Sequence, residues 1–314
     1  MANPGLSELI TTTLRHRSKV LSDTVMKHNA LLNRINENGN KKPFTGRSIQ
    51  LELEYAENAT VGMYSNYDTI NTTPQDVLTS AEFDIKQIAG TVTMSGLEAI
   101  KNSGQEAVID LLESRIANLE KSMMNTLASQ IFGAGTNSTD LDGLQKLVAD
   151  DPTSGTVGGI DRASHTFWRN KVYDFSVQGV TASASTIQTA MNTLYLDLVR
   201  NNDAPDMIVG GKDYFSFYWN SLQSIQRVMN NDEADAGYMS LMYLGSPTFY
   251  DVNAAATRMY FLNTDYLQLR YHPDRDFAPL EPREAFGQDS SVFPIAWAGN
   301  LVSSNCALQG VICA

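Results

Sequence analysis

From Arg47 the chain alternates strictly, with Ile49, Leu51, Leu53 and Tyr55 apolar and Ser48, Gln50, Glu52 and Glu54 polar between them. A period of two is the signature of a strand with one buried face. A second alternating run begins at Phe83 and Ile85 and then shifts phase to Ile88, Gly90, Val92 and Met94, as a bulge near Gln87 or Gly90 would produce. The segment between the runs is rich in Asn, Thr, Tyr and Asp. Together these features predict a long hairpin with an elaborate tip, spanning roughly 30 to 40 Å at about 3.3 Å per residue. An isolated two-stranded arm is barely stable in water, so this one either packs on its own body or reaches across a neighbouring copy.

Helical periodicity flanks the hairpin. Upstream, from about Ser7 to Asn36, Leu14, Leu21, Val25, Leu32 and Ile35 fall on one helical face. Gly39 suits the helix end, and Lys41, Lys42 and Pro43 read as a linker. Downstream, Val108, Leu112, Ile116, Leu119, Met123, Leu127 and Ile131 recur at three and four, predicting a helix from about Gln105 to Phe132 that is about 40 Å long at 1.5 Å per residue. Gly133 supplies its stop, and Met123 and Met124 read as core fillers.

The run from Gly133 to Gly143, GAGTNSTDLDG, is a loop by composition and a candidate domain boundary. A second unit then extends to about Asp251. It contains an amphipathic helix from about Ser185 to Arg200, a break at Asn201, Asn202 and Asp203, a buried strand at Met207 to Val209, and a helix from Lys212 to Met229 bearing Tyr214, Phe217 and Trp219. That alternation suggests a compact α/β or α+β unit. Strand patterns return at Met259 to Leu262, Tyr266 to Tyr271, Val292 to Val302 and Cys306 to Val311. They are expected to share a sheet and core with the long helix, which makes the second unit an insertion between two halves of one domain.

Composition fits a folded soluble chain of 314 residues, 42% hydrophobic and 18% charged. The net charge of -12 has the wrong sign for a protein that grips nucleic acid by neutralising phosphates, although it permits a wall that holds DNA without binding it. Arg15, His16, Arg17 and Lys19 interrupt any signal-peptide core, and no apolar run reaches the roughly 18 residues of a membrane span. Synthesis in a cytoplasm, away from membranes, is the expectation. Two cysteines, Cys306 and Cys313, are too few for a disulfide framework and read as reduced core residues.

Catalytic patterns are missing. Gly210, Gly211 and Lys212 follow a strand and open a helix, but Asp206 and Asp213 stand where a phosphate loop needs Gly and Ser or Thr. His16, His28, His165 and His272 are scattered without chelating spacing. His165 lies near Asp161 and Ser164, where hydrophilic neighbours in a loop are the ordinary explanation. Asp150, Asp151, Asp232, Glu233 and Asp235 read as solvated acidic faces. No catalytic residue, cofactor or metal is assigned.

The order of parts, with the phrases IAGTVTMSGLEAIKNSG, LASQIFGAGT, LDGLQKLVADDP, GSPTFYDVN and MYFLNTDYLQLRYHP, resembles the major capsid proteins of tailed bacteriophages with the Hong Kong 97-like fold, which encapsulins and herpesvirus shells share. The resemblance implies an α+β fold with an N-terminal arm over 1–46, an extended β-hairpin loop over 47–95, a peripheral domain with a spine helix over 96–142, an inserted apical domain over 143–251, and returning peripheral strands over 252–314. It implies a structural subunit, not an enzyme, that forms hexamers and pentamers and closes an icosahedral shell around double-stranded DNA. Arm and loop would lie on adjacent subunits, with Ile49, Leu51, Leu53, Phe83 and Ile85 as candidate contacts between them. The implied partners are further copies of the chain, a separate scaffolding protein, a portal protein and, in some members, a decoration protein. The implied location is the virion, after assembly in the host bacterial cytoplasm. Some members crosslink neighbours through Lys and Asn; the loop offers only Lys86, and that chemistry is not assigned. An encapsulin-like compartment is the nearest alternative, and a small α/β enzyme is a more distant one.

Overall fold

The structure is a computed structural model that describes residues 24, 27, 29–101, 105–201, 203–222, 240–284 and 286–314. Helix α1 (Ala30–Glu37) is capped by Asn29, whose side-chain oxygen accepts the Leu31 N–H at 2.8 Å. Leu32 and Ile35 of the predicted stripe are buried against this chain's own body, while Leu14, Leu21 and Val25 lie outside the described residues. Gly39 follows the helix with φ at +68°, the left-handed turn that a helix end favours. The expected linker is instead strand β1 (Lys41–Pro43), parallel to Leu269–Tyr271. Three residues are too few to show alternation, and what fixes them is distant: Lys41 Nζ sits 2.8 Å from Asp276 and 4.5 Å over the Tyr271 ring.

Strands β2 (Ile49–Glu54) and β3 (Leu78–Phe83) form the hairpin in the register Ile49↔Phe83 through Glu54↔Leu78. The second alternating run is not one bulged strand. It breaks after Phe83, and β4 (Lys86–Ser95) leaves the hairpin for a different sheet, so the phase shift records a change of partner. Helix α2 (Gly96–Lys101) leads to the long helix α3 (Gln105–Ile131). Ile116, Met123, Leu127 and Ile131 of its stripe are buried, with Leu119 and Met124 half-buried beside them.

Beyond the loop, α4 (Leu144–Leu147) and the small hairpin β5 (Thr156–Val157) and β6 (Ile160–Asp161) precede β7 (Lys171–Asp174). The inserted unit continues with α5 (Ile187–Leu198), β8 (Met207–Gly210) and α6 (Lys212–Ser221), then β9 (Ser240–Tyr243) and β10 (Ser246–Tyr250). Residues 223–229 of the predicted second helix lie outside the described residues. Returning strands follow: β11 (Met259–Leu262), β12 (Leu267–Tyr271), β13 (Ala278–Pro279), β14 (Arg283–Glu284), β15 (Ser290–Ser303) and β16 (Gly310–Cys313).

Among the described residues these strands make two six-stranded sheets. The first is organised by β15, which pairs with β4 along ten residues on one edge and with β12, β13 and β14 on the other. The second runs β7-β16-β11-β8-β10-β9, with α5 and α6 packed on it. Not all the returning strands share the first sheet as expected. β11 and β16 join the inserted unit's sheet, β11 pairing antiparallel with β8 and β16 parallel with β7. Their runs MYFL and GVIC are buried on both faces, a pattern that identifies a central strand and leaves its sheet open.

The turn from α3 into the inserted unit is closely packed. A Cβ on Gly143 would lie 2.3 Å from the Gly133 carbonyl and 2.6 Å from that of Gln130, both backbone atoms that cannot swing aside. Gly143→Ala should therefore destabilise the chain by about 1–3 kcal/mol, the usual cost of overpacking, read as a lower midpoint in urea with unchanged slope.

Candidate functional site

The hairpin is rooted by one face and offers the other. Ile49, Leu51, Leu53, Ala81 and Phe83 are buried, against Val157, Ile160 and Trp168 of the same core, while Gln50, Glu52, Glu54 and Glu82 are exposed. The small β5–β6 hairpin clamps the root: Gly158 O accepts the Glu82 N–H at 2.9 Å, and Trp168 Nε1 donates to Val157 O at 2.9 Å. The Tyr55 and Phe167 rings meet at 5.2 Å. The structure thus places Ile49, Leu51, Leu53 and Phe83 inside the chain's own core, with Ile85 half-buried against it.

The exposed apolar surface of the hairpin is further out. Between β2 and β3 the chain is held in local turns, with Asn58 Oδ1 accepting from Thr60 N at 2.9 Å, Asp68 Oδ2 from Ser65 N at 2.8 Å and Asn71 Oδ1 from Thr73 N at 3.1 Å. Their apolar side chains point to solvent: Val61 is 83% exposed, and Met63, Tyr64, Tyr67 and Ile70 are exposed with it. These side chains make the tip the most apolar exposed stretch of an otherwise polar loop.

Two grooves flank this frame. One, of about 870 Å³, lies between the middle of α3 and the β4–β15 ladder, lined by hydroxyls such as Thr91, Thr93, Ser114 and Ser122. Arg115 bridges it, donating to Thr93 O at 2.8 Å and to both Glu98 carboxylate oxygens at 3.0 and 2.8 Å. Those bonds hold the Glu98 carboxyl below its ordinary range. The other groove, of about 510 Å³, lies beside β7 and the end of α5.

A buried polar joint sets how the hairpin meets the rest. Asn300 in β15 is fully buried; its side-chain oxygen accepts the Asp142 N–H at 3.0 Å, and its amide donates to Asp142 Oδ2 at 2.8 Å and to Asp84 O at 2.9 Å. Lys146 pairs with Asp142. Lys86 is buried as well, donating to Ser138 O at 2.7 Å. Nothing local in the sequence signals these groups, because Asn and Asp in loop-like text read as solvated.

Sites raised by the sequence resolve into structure. At Gly210–Lys212 the amides a phosphate would need are engaged, Gly211 N on Arg258 O at 2.8 Å and Asp213 N on Ala256 O at 3.1 Å, and a Cβ on Gly211 would fall 1.9 Å from Ala255 O. Asp206 accepts from Thr264 N at 2.7 Å and from Arg34 at 3.2 Å. Asp161 takes hydrogen bonds from Ser164 and Ala163, which lower its pKa, while the His165 ring packs on Phe167 at 5.6 Å. Among the described residues no group of three or more His, Cys, Asp or Glu could hold a metal, and no helix is long and apolar enough to cross a membrane.

No family model matches the chain, and no curated protein matches it in sequence. Solved structures do. The chain is similar to a subunit of the cyanophage A-1(L) capsid asymmetric unit, at 17% identity over 87% of this chain and 89% of that one, with a TM-score of 0.66. It is also similar to a chain of the satellite phage P4 procapsid that includes the size determination protein, at 14% identity over 100% and 92%, with a TM-score of 0.53. A third likeness is to the holo-SrpI encapsulin complex of Synechococcus elongatus, at 8% identity over 87% and 84%, with a TM-score of 0.57. The α+β, Hong Kong 97-like fold is thus the fold of this chain, as it is of these capsid and procapsid chains.

Phe83→Ala should lower the stability of the unassembled chain by about 3–5 kcal/mol, the range for a fully buried Phe, as read by denaturant titration. An unassembled variant as stable as wild type would move Phe83 from core to contact. Burial pushes the Cys313 thiol up to about 12 and raises that of Cys306 too, so at pH 8 both stay protonated. A disulfide-exchange reagent should titrate neither in the native chain and both after unfolding.

Proposed function

We propose that the chain is the major capsid protein of a tailed phage, whose copies form hexamers and pentamers and close an icosahedral shell around double-stranded DNA. The observation that carries this reading is the extent of the likeness: the chains of the cyanophage capsid and the P4 procapsid cover 87% and 100% of this chain. The physical mechanism follows from the surfaces. Each copy offers a rooted hairpin with an apolar tip, and many weak contacts sum to a closed shell. In this reading residues 143–251 meet at the capsomer centre as the apical domain, and arm and loop lie on adjacent subunits, while the first sheet and α3 form the periphery. The net charge of -12 suits a wall that contains DNA without binding its sequence. A scaffolding protein, a portal protein and, outside, a decoration protein complete the proposed partners, with assembly in the bacterial cytoplasm.

The encapsulin likeness favours a second reading, a protein compartment around an enzyme cargo. Electron microscopy and light scattering of the purified chain, alone and with the products of neighbouring genes, should show shells or rings of five and six. A monomer or dimer under every condition would overturn the shell reading. Particles isolated from the native source that hold protein cargo and no DNA would select the compartment.

A further inference from the structure

Asn38–Gly39 is the one Asn–Gly pair in the sequence. In such a pair the glycine amide can attack the asparagine side chain, because no side chain on the second residue hinders the ring that forms. Both residues are exposed to solvent at the end of α1, yet the turn they make holds the reaction off. Gly39 N donates to Asn36 O at 3.0 Å and Asn40 N to Ile35 O at 2.9 Å, the two bonds that close a helix on a left-handed glycine. With φ at -73° and ψ at 1°, the Asn38 backbone turns the Gly39 nitrogen away from the Cβ that carries the amide. The amide itself is engaged: Nδ2 donates to Thr264 Oγ1 at 2.7 Å and lies 3.5 Å from Asp265 Oδ1.

The seat of that amide accepts only a donor. Thr264 gives its hydroxyl proton to Asp206, so towards Asn38 it offers a lone pair. Asp206 and Asp265 already bring two carboxylates to this place, with Arg34 on Asp206 at 3.2 Å. A carboxylate at position 38 would have no proton to give, would add negative charge, and would stand at a helix C-terminus, where such charge is unfavourable. The same seat helps to hold α1 on the body, with Asn29 on Asp251, Arg34 on Asp206 and Asn40 Nδ2 on Thr264 O at 2.8 Å.

We infer that Asn38 is a self-modification site, silent while α1 is docked, whose conversion makes an opening of α1 irreversible. When residues 29–40 leave the body, the Gly39 nitrogen loses its proton to hydroxide and attacks Asn38 Cγ. The Cγ–Nδ2 bond breaks, and the nitrogen takes a proton from water and leaves as ammonia. Water then adds to either carbonyl of the resulting succinimide ring and opens it to an aspartyl or an isoaspartyl residue. The aspartyl product lacks the donor that Thr264 requires. The isoaspartyl product also lengthens the backbone by a carbon and breaks the turn at Gly39. Either one keeps α1 off Asp206 and Thr264 for more of the time, so the chain carries a chemical record of having opened.

Peptide mapping of the unassembled chain tests both halves. At mildly alkaline pH the tryptic peptide of residues 35–41 should gain aspartyl and isoaspartyl forms at Asn38 roughly tenfold or more slowly in the folded chain than in urea, since only the open population reacts. Asn29→Ala removes the cap at the far end of α1 and should speed conversion in the folded chain by roughly fivefold, with the rate in urea unchanged. Asn38→Asp should quicken amide exchange at Asn40 and at Leu269, whose N–H donates to Asn40 O at 3.0 Å, by roughly tenfold. Asp265→Asn added to it should recover part of that protection. Equal rates in the folded and unfolded chain, no conversion in urea, a folded-chain rate unmoved by Asn29→Ala, or unaltered exchange in Asn38→Asp would overturn the inference. If Asn38→Asp does not fold, the wild-type rates and Asn29→Ala still decide it. Every readout is taken without assembly, so none depends on shell formation.

Discussion

A buried carboxylate holds this architecture together. Taking Asp142 out of water costs several kcal/mol unless its charge is met, and it is met by the Asn300 amide and by Lys146. Asn300 reaches on to the Asp84 carbonyl, so one side chain joins the root of the hairpin, the loop after the long helix and the central strand of the first sheet. The apolar contacts around it are adaptable; these hydrogen bonds are directional. They tie the root of the hairpin to the body at fixed backbone positions.

The hairpin divides its labour by the simplest property of a strand, the opposite orientation of successive side chains. One face is fixed to the small β5–β6 hairpin and Trp168, which makes a long projection rigid at its base. The other face and the tip stay free. Chains as dissimilar in sequence as those of the cyanophage capsid, the P4 procapsid and the encapsulin complex share the overall fold. What they have in common is therefore pattern and topology, properties that individual residues can satisfy in many ways.

Much of this pattern is legible in the sequence because it is local. The alternation of Ile49, Leu51 and Leu53, the stripe of Ile116, Met123, Leu127 and Ile131, and the stop at Gly133 each report a face or an end within a few residues. The parts that escape are decided far away. Met259–Leu262 and Gly310–Cys313 are readable as buried strands, but the sheet they enter depends on β8 and β7. Lys41–Pro43 becomes a strand because residues 269–271 offer an edge. The break after Phe83 looks like a bulge because both strands it separates alternate. As for the candidate site, the sequence locates the hairpin but gives no period that marks which apolar side chains of its tip stay exposed. Alternation marks Ile49, Leu51, Leu53 and Phe83 as apolar, and apolar side chains on a half-buried strand turn inward first. The Asp142–Asn300 joint is assembled from segments more than a hundred residues apart, and no local pattern announces it.

The pairing of β4 with β15 has a consequence in time. Residues 86–95 complete their sheet only with residues 290–303, so the strand beneath the long helix waits, unpartnered on that edge, while nearly two hundred further residues are synthesised. Contacts of such sequence separation form late and slowly. The sheet that carries the hairpin is thus finished only after residues 290–303 have been synthesised. The order of strands acts as a check on completeness: a chain cut short of β15 lacks the central strand of this sheet and leaves β4 without its partner.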